Sequence, residues 1–181
     1  KVEERIVQPT IEGPKQEKID YSGFIFIGLM NVGGDPYVIE YNVRMGDPET
    51  QVVLPKIKSD LLDLLEGAAK GSLHEKEYTT EDGVYASVVM VSGGYPESYE
   101  KGNEISGIEE VSEATVFHAG TKLSEGQSVL TNGGRVLAVT GKGETLDKAL
   151  ENAYNGVNKI SWKDEYHRKD IGQDLLKLID Q

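Results

Sequence analysis

The sequence predicts an α+β chain in two parts, and three patterns carry that expectation. Two apolar runs, residues 24–30 and 37–44, flank Asn31-Val32-Gly33-Gly34-Asp35, the pattern of a β-hairpin around a tight turn. A leucine-rich stretch follows in which Leu61, Leu62, Leu64, Leu65, Ala68 and Ala69 recur at helical spacing. From about residue 84, short apolar runs separated by Gly-Gly pairs precede one long amphipathic segment, which reads as a small sheet with one or two helices. The boundary is expected between Ser72 and Gly83, giving domains of 1–75 and 76–181.

Taken in order, the charged opening stretch to Asp20 holds Ile6 and Val7 beside charged neighbours, suggesting the tail of a helix broken near Pro9. Residues 24–30 then read as a buried strand. Ser59 is the expected N-cap of the leucine-rich helix, with Asp60 in its first turn, and Gly71 is the expected terminator. In the second part, strands are expected at 84–91, 105–108, 115–118 and 135–140, with turns at Gly93-Gly94-Tyr95-Pro96 and Gly133-Gly134. Thr145 can cap a helix whose apolar face is Leu146, Ala149, Leu150, Ala153, Val157 and Ile160. A short helix is expected over 174–179, with Trp162 and Tyr166 packed on it, while His74 and His167 read as surface residues.

Composition narrows the function classes. The 181 residues include no cysteine, which excludes a disulfide framework and a zinc-thiolate site. Acidic residues outnumber Lys and Arg by 31 to 19, for a formal charge of −12. No basic patch interrupts that charge, so nucleic acid and anionic membranes are poor partners. No apolar run approaches the roughly 20 residues of a membrane span. The opening Lys1-Val2-Glu3-Glu4-Arg5 resembles no signal peptide, and the chain is expected to begin inside a larger cytoplasmic protein.

Chemistry concentrates in one stretch. Side chains alternate across a strand, so Glu40, Asn42 and Arg44 share one face and Ile39, Tyr41 and Val43 the other. The apolar face is expected to pack into a core while a carboxylate, an amide and a guanidinium project from its reverse. Same-face neighbours lie about 7 Å apart, a spacing that can grip one polyphosphate. A hard divalent cation takes carboxylate and amide oxygens together with substrate phosphates, and Arg44 offers a planar fork that stays charged. Asp47, Pro48 and Glu49 form a turn just beyond, with two acids suited to a substrate amine or to orienting Arg44. The same face is also what a solvated sheet surface looks like. Arg135 can meet a phosphate, although exposed strand arginines are common, and His118 reads as a structural histidine.

The stretch Val38-Ile-Glu-Tyr-Asn-Val-Arg-Met-Gly-Asp-Pro-Glu-Thr-Gln51 resembles the metal-binding signature of the phosphoribosylamine–glycine ligases, a family of ATP-grasp enzymes. Further similar segments follow in the family's order along essentially the whole chain: Arg5-Ile-Val-Gln-Pro-Thr10, Tyr21-Ser-Gly-Phe24, Gly28-Leu-Met30, Gly93-Gly-Tyr-Pro96, Phe117-His-Ala-Gly-Thr-Lys122, Thr131-Asn-Gly-Gly-Arg-Val-Leu137 and Arg168-Lys-Asp-Ile-Gly172. Tyr41 and Met45 stand where the family commonly has phenylalanine, and both changes are apolar.

The resemblance implies the C-terminal half of an ATP-grasp domain followed by a small mixed sheet-and-helix domain. It implies that Glu40 and Asn42 hold Mg²⁺ or Mn²⁺ against the phosphates of ATP, the co-substrate. It further implies that glycine is activated as glycyl phosphate and joined to 5-phosphoribosylamine in purine synthesis. Arg44 is the expected catalytic residue, and Arg44, Asp47, Pro48, Glu49 and Arg135 are expected to contact substrates. The family's phosphate loop and N-terminal substrate domain are expected upstream of Lys1, so the chain alone should have negligible ligase activity. Two rivals stay open: another ATP-grasp ligase or carboxylase, and a non-catalytic acidic cation-binding module.

Overall fold

The computed structural model describes residues 1–179, and of Ile179 only the backbone. Contacts divide the chain into two units, Lys1–Thr50 with Ile57–Thr79, and Gln51–Lys56 with Thr80–Gln181. It is an α+β chain, as the sequence predicts.

The first unit opens with a π-helical turn, Glu3–Val7, that runs straight into α1 (Gln8–Gln16). The helix is therefore not broken near Pro9. Pro9 takes the second position of α1 within this continuous helical run, and the chain stays helical past Pro14 as well. β1 (Phe26–Val32) and β2 (Asp35–Asn42) pair as an antiparallel hairpin. Gly33 and Gly34 join them at φ of 61° and 86°, a two-residue turn that only residues tolerant of positive φ can make, and Asn31 Oδ1 accepts the Gly34 N–H at 3.0 Å.

Two expectations fail here. The segment 24–30 is not a buried strand: β1 starts at Phe26, and Leu29, Met30 and Val32 are exposed. Nor does the opposite face of β2 enter a core, since Ile39, Tyr41 and Val43 are 62%, 52% and 72% exposed. A two-stranded hairpin has no third layer to bury both faces, and α1 covers only part of one, with Tyr41 hydroxyl 3.1 Å from Thr10 Oγ1. Ile6 is the one large apolar residue of this unit that is truly buried among the described residues.

A short helix, α2 (Thr50–Val53), with the 3-10 turn Leu54–Lys56, leads into the second unit's first segment. Back in the first unit, α3 (Leu61–Lys70) is capped by Asp60, not by Ser59 as the sequence suggests. The Asp60 carboxylate accepts the N–H groups of Leu62 and Asp63 at 2.8 and 3.2 Å. Ser59 is drawn away because its Oγ accepts the Thr79 N–H at 2.8 Å. Gly71 ends the helix in the left-handed conformation at φ 73°, as expected.

The second unit holds the hydrophobic core. β3 (Val84–Ser92), β4 (Ala114–His118), β5 (Thr121–Leu123), β6 (Val129–Thr131) and β7 (Arg135–Gly143) precede α4 (Leu146–Val157), then β8 (Glu165–His167) and α5 (Gln173–Ile179). The four-stranded sheet has the order β4-β7-β3-β8, all neighbours antiparallel, and β5 pairs with β6 in a separate ribbon. Its central strand β7 is buried on both faces from Val136 to Gly141, which is why it reads as a continuous apolar run. β3 is flanked by β7 and the short β8, and alternates instead. Val88, Met90, Val136, Leu137, Val139, Ala153, Val157 and Ile160 form the main cluster.

α4 carries the expected cap, with Thr145 Oγ1 accepting the Lys148 N–H at 3.3 Å. It sits so close to the sheet that a Cβ on Gly141 would lie 2.2 Å from the Ala149 carbonyl oxygen. Three further expectations are corrected. Residues 105–108 form no strand: the segment makes one isolated bridge, at Ser106, with another just before it at Glu104, and a 3-10 turn follows at Ile108–Glu110, where Gly107 takes φ 83°. Trp162 packs into the main cluster with Ile160 and Val157 rather than on the terminal helix, and Tyr166 is 59% exposed. His167 is not a surface residue: its side chain is half-sequestered in β8, 3.2 Å from Glu165, whereas His74 is exposed. Among the described residues, no helix is long and apolar enough to cross a membrane.

Candidate active site

The polar row of the hairpin is built by its register. Glu40 pairs with Gly28, and the ladder slips by one residue between Gly28 and Leu29, so Ile39 is bulged out between Glu40 and Val38. A glycine opposite Glu40 leaves room for the carboxylate stem, since a Cβ on Gly28 would lie 3.1 Å from Glu40 Cγ. Asn42 is the last residue of the ladder, opposite Phe26. Strand β2 therefore ends before Arg44, two residues short of the predicted end.

The three side chains nonetheless form one connected row. Asn42 Nδ2 donates to Glu40 Oε1 at 3.0 Å, and Arg44 Nη2 donates to Asn42 Oδ1 at 3.3 Å. Arg44 Nη1 donates to the Met45 carbonyl at 2.9 Å, which turns the guanidinium back along the strand. Glu40 and Arg44 are exposed and Asn42 is half-buried. The scaffold beneath is braced by Tyr21, whose hydroxyl donates to the carbonyls of Phe24 and Val43 at 2.8 and 3.2 Å. Lys1 and Arg5 pair with Asp35 at 3.0 and 2.8 Å, tying the first helical turn to the start of β2.

The turn after the row is compact. The Asp47–Pro48 peptide is cis, and Thr50 N–H donates to the Gly46 carbonyl at 3.0 Å. Gly46 is buried, and Glu49 folds over it: a Cβ at that position would lie 2.3 Å from Glu49 Oε2 and 3.0 Å from Phe26 Cε2. Asp47 is exposed and Pro48 half-buried. Arg135 belongs to the other unit, exposed at the first position of β7 and paired with Val91. Period-2 spacing suffices to find the row. It does not reveal the Met45 carbonyl that steers Arg44 or the glycine that makes room for Glu40.

The chemistry open to the row is limited by what surrounds it. Among the described residues, no group of three or more His, Asp or Glu side chains could hold a metal ion unaided. One carboxylate and one amide oxygen fit a hard cation that takes its remaining ligands from phosphate and water. The Asn42 oxygen has two lone pairs and keeps one beyond the Arg44 bond.

Comparison with known proteins bears on the same residues. Residues 1–50 match the phosphoribosylglycinamide synthetase ATP-grasp (A) domain, and residues 85–174 match the phosphoribosylglycinamide synthetase C domain. The chain is 48% identical over 179 residues to a phosphoribosylamine–glycine ligase of Fusobacterium nucleatum, covering 94% of this chain and 42% of that protein. It is 46% identical over 172 residues to the Escherichia coli K12 protein of the same name. The crystal structure of a phosphoribosylamine–glycine ligase from Thermotoga maritima superposes with a TM-score of 0.77 at 37% identity, covering 89% of this chain and 40% of that one. The chain thus spans about two fifths of the length of these relatives. Two adjoining domains of one enzyme, matched in order on either side of α3, place this chain in the phosphoribosylglycinamide synthetase, or phosphoribosylamine–glycine ligase, family.

Proposed function

We propose that the chain contributes the metal-bearing part of an ATP-dependent ligase that joins glycine to 5-phosphoribosylamine, giving glycinamide ribonucleotide, ADP and phosphate. The observation that carries this reading is the connected row Glu40, Asn42 and Arg44 on one face of the hairpin. Glu40 and the Asn42 amide oxygen would hold Mg²⁺ or Mn²⁺, which when bound neutralises charge on the ATP phosphates. Glycine's carboxylate attacks the γ-phosphorus and ADP leaves. The amine of phosphoribosylamine then attacks the acyl carbon and phosphate departs.

Such a reaction needs alignment and charge compensation more than a protein nucleophile. Arg44, positioned by the Met45 carbonyl, supplies a fixed positive fork for the transferring phosphoryl group. Asp47 and Glu49 offer carboxylates to the amines of the two substrates, Pro48 shapes the turn between them, and Arg135 is a further candidate for substrate contact. A phosphoryl-transfer ligase of nucleotide synthesis belongs in the cytoplasm, where ATP is available.

The test uses a hybrid in which this chain replaces its homologous stretch in the Fusobacterium nucleatum relative. ADP release should depend on glycine and phosphoribosylamine, and Glu40→Gln, Asn42→Ala or Arg44→Ala should each lower kcat at least a hundredfold. A folded hybrid that keeps its turnover after Glu40→Gln would sink the reading.

A further inference from the structure

Asn42 stands between a group that can only accept and a group that can only donate. Its Nδ2 donates to Glu40 Oε1 at 3.0 Å, and its Oδ1 accepts from Arg44 Nη2 at 3.3 Å. An ionised carboxylate has no hydrogen to give and a guanidinium has no lone pair to offer, so the two partners fix which way the amide faces. In that setting the amide nitrogen is turned to the carboxylate and the amide oxygen to the guanidinium. The oxygen that suits a hard cation is therefore already serving a charged side chain.

The two sides of this contact are held unequally. Asn42 closes the hairpin ladder opposite Phe26, and the Tyr21 hydroxyl reaches the Val43 carbonyl at 3.2 Å, so the main chain under the amide is pinned. Glu40 is likewise fixed in the ladder, opposite Gly28. Arg44 lies past the last paired residue and is exposed. Its Nη1 donates to the Met45 carbonyl at 2.9 Å, whereas its 3.3 Å bond to Asn42 is long for N–H···O. Losing the longer bond lets the guanidinium turn about the shorter one, and water at the exposed surface can replace what Nη2 gives up.

We propose, on the ligase reading, that a divalent cation and Arg44 compete for the Asn42 amide oxygen, so that filling the metal row releases one edge of the Arg44 fork for phosphate. A dication and a guanidinium on one oxygen would set two like charges close together, at a surface where the guanidinium can leave. Turning the amide oxygen towards Glu40, so that both residues meet one cation, also turns the amide hydrogens on Arg44, donor against donor. Either way Nη2 loses its acceptor while Nη1 keeps the Met45 carbonyl. Until then Arg44 is tied back along its own strand and presents only part of its fork to a phosphate. Coupling of this kind is reciprocal: whatever draws Arg44 off Asn42 favours the cation by the same factor. Phosphate does so, and the row fills in concert, with the cation on Glu40 and Asn42 and the phosphate on Arg44.

The experiment adds Mn²⁺ to the 181-residue chain and follows line broadening of the backbone amides at residues 26–28 and 40–44 by NMR, which separates the row from the chain's other acids. Broadening there should saturate, and Glu40→Gln should weaken binding at least tenfold. Arg44→Ala should strengthen it at least threefold, although it removes a member of the row. Arg5→Ala, which takes the same charge from beside Asp35, should leave the midpoint unchanged. In an Asn42→Ala background, Arg44→Ala should bring no gain, because the shared oxygen is gone. Mg²⁺, which does not broaden, should move the Arg44 side-chain Nε–H signal with the same midpoint as the Asn42 side-chain amide. Should Asn42→Ala disturb the hairpin, the Mg²⁺ shifts decide in its place. Unchanged or weaker Mn²⁺ binding in Arg44→Ala, an equal gain in the Asn42→Ala background, or an Arg44 signal that stays still under Mg²⁺ would overturn the competition and leave the ligase reading standing. Row amides that never broaden, or a Glu40→Gln chain that binds like the parent, would remove the cation site and the reading beneath it together.

Discussion

Replacing Gly141 by alanine tests how the second unit is held together. The added Cβ would stand 2.2 Å from the Ala149 carbonyl oxygen, 2.5 Å from the Ala153 nitrogen and 3.1 Å from the Ala153 Cα. All three are backbone atoms of one helix, so no side chain can swing aside and α4 itself must retreat by roughly 1 Å to reach ordinary contact distances. The helix buries Ala149, Leu150, Ala153 and Val157 against the sheet. Leu and Val contribute about 1.5–3 kcal/mol each when fully buried, and a gap of 0.5–1 Å forfeits about a quarter to a half of the contact energy. The expected loss is about 1–3 kcal/mol, in line with overpacked cores generally. For a domain of roughly a hundred residues, a loss near 2 kcal/mol lowers Tm by about 8–16 °C. Trp162 is the chain's sole tryptophan and lies in the main cluster, so its fluorescence reports the melting of this unit. Gly13→Ala, in open space on α1 of the other unit, is the control and should leave the Trp162 transition in place. A Gly141→Ala melt within 2 °C of the parent would refute the claim that main-chain contact sets the helix-to-sheet distance.

Two further predictions concern stability. Lys159, 2.7 Å from Glu113, together with the Ser112 N–H and hydroxyl, holds the Glu113 carboxyl down from 4.5 to about 2. A carboxyl depressed on folding stabilises above its ordinary value, and that contribution fades as pH falls from about 4.5 towards 2. Glu113→Gln should therefore flatten the pH dependence of the Trp162 melt within that window and leave it unchanged near neutrality. An identical slope in parent and variant would rule this out. Asp60→Ala should cost α3 about 1 kcal/mol, seen as faster amide exchange over Leu61–Lys70, with Ser59→Ala having the smaller effect on that helix. The reverse order would reassign the cap to Ser59.

Local chemistry settled what needs only neighbours along the chain. The Gly33-Gly34 turn and its hairpin, the Thr145 cap, the Gly71 stop and the apolar face of α4 are all short-range features, and each appears where spacing puts it. Period 2 likewise puts Glu40 and Asn42 on one face, as the 3.0 Å bond between them requires. The family resemblance was legible for a related reason: a run of ordered motifs is a property of the string, and the domain matches at 1–50 and 85–174 recover the same family.

The rest depended on contacts between residues far apart. The cap of α3 moved from Ser59 to Asp60 because Thr79, twenty residues on, takes the Ser59 hydroxyl. Residues 105–108 have the composition of a strand but find no continuous partner, only a single bridge from Ser106 to Ser161, with another just before it from Glu104 to Leu130. Trp162 and His167 were misplaced because burial is set by the sheet they close against, at Met90 and Ile160, and not by their own polarity. Ile39, Tyr41 and Val43 show the converse: an apolar stripe declares that a side chain wants cover, while only the tertiary arrangement decides whether anything lies over it. Sequence thus determined the elements and their inventory of chemical groups. Tertiary structure decided which distant backbone and side-chain groups satisfy one another, because hydrogen bonding and burial are pairwise, and a chain read one residue at a time carries only half of each pair.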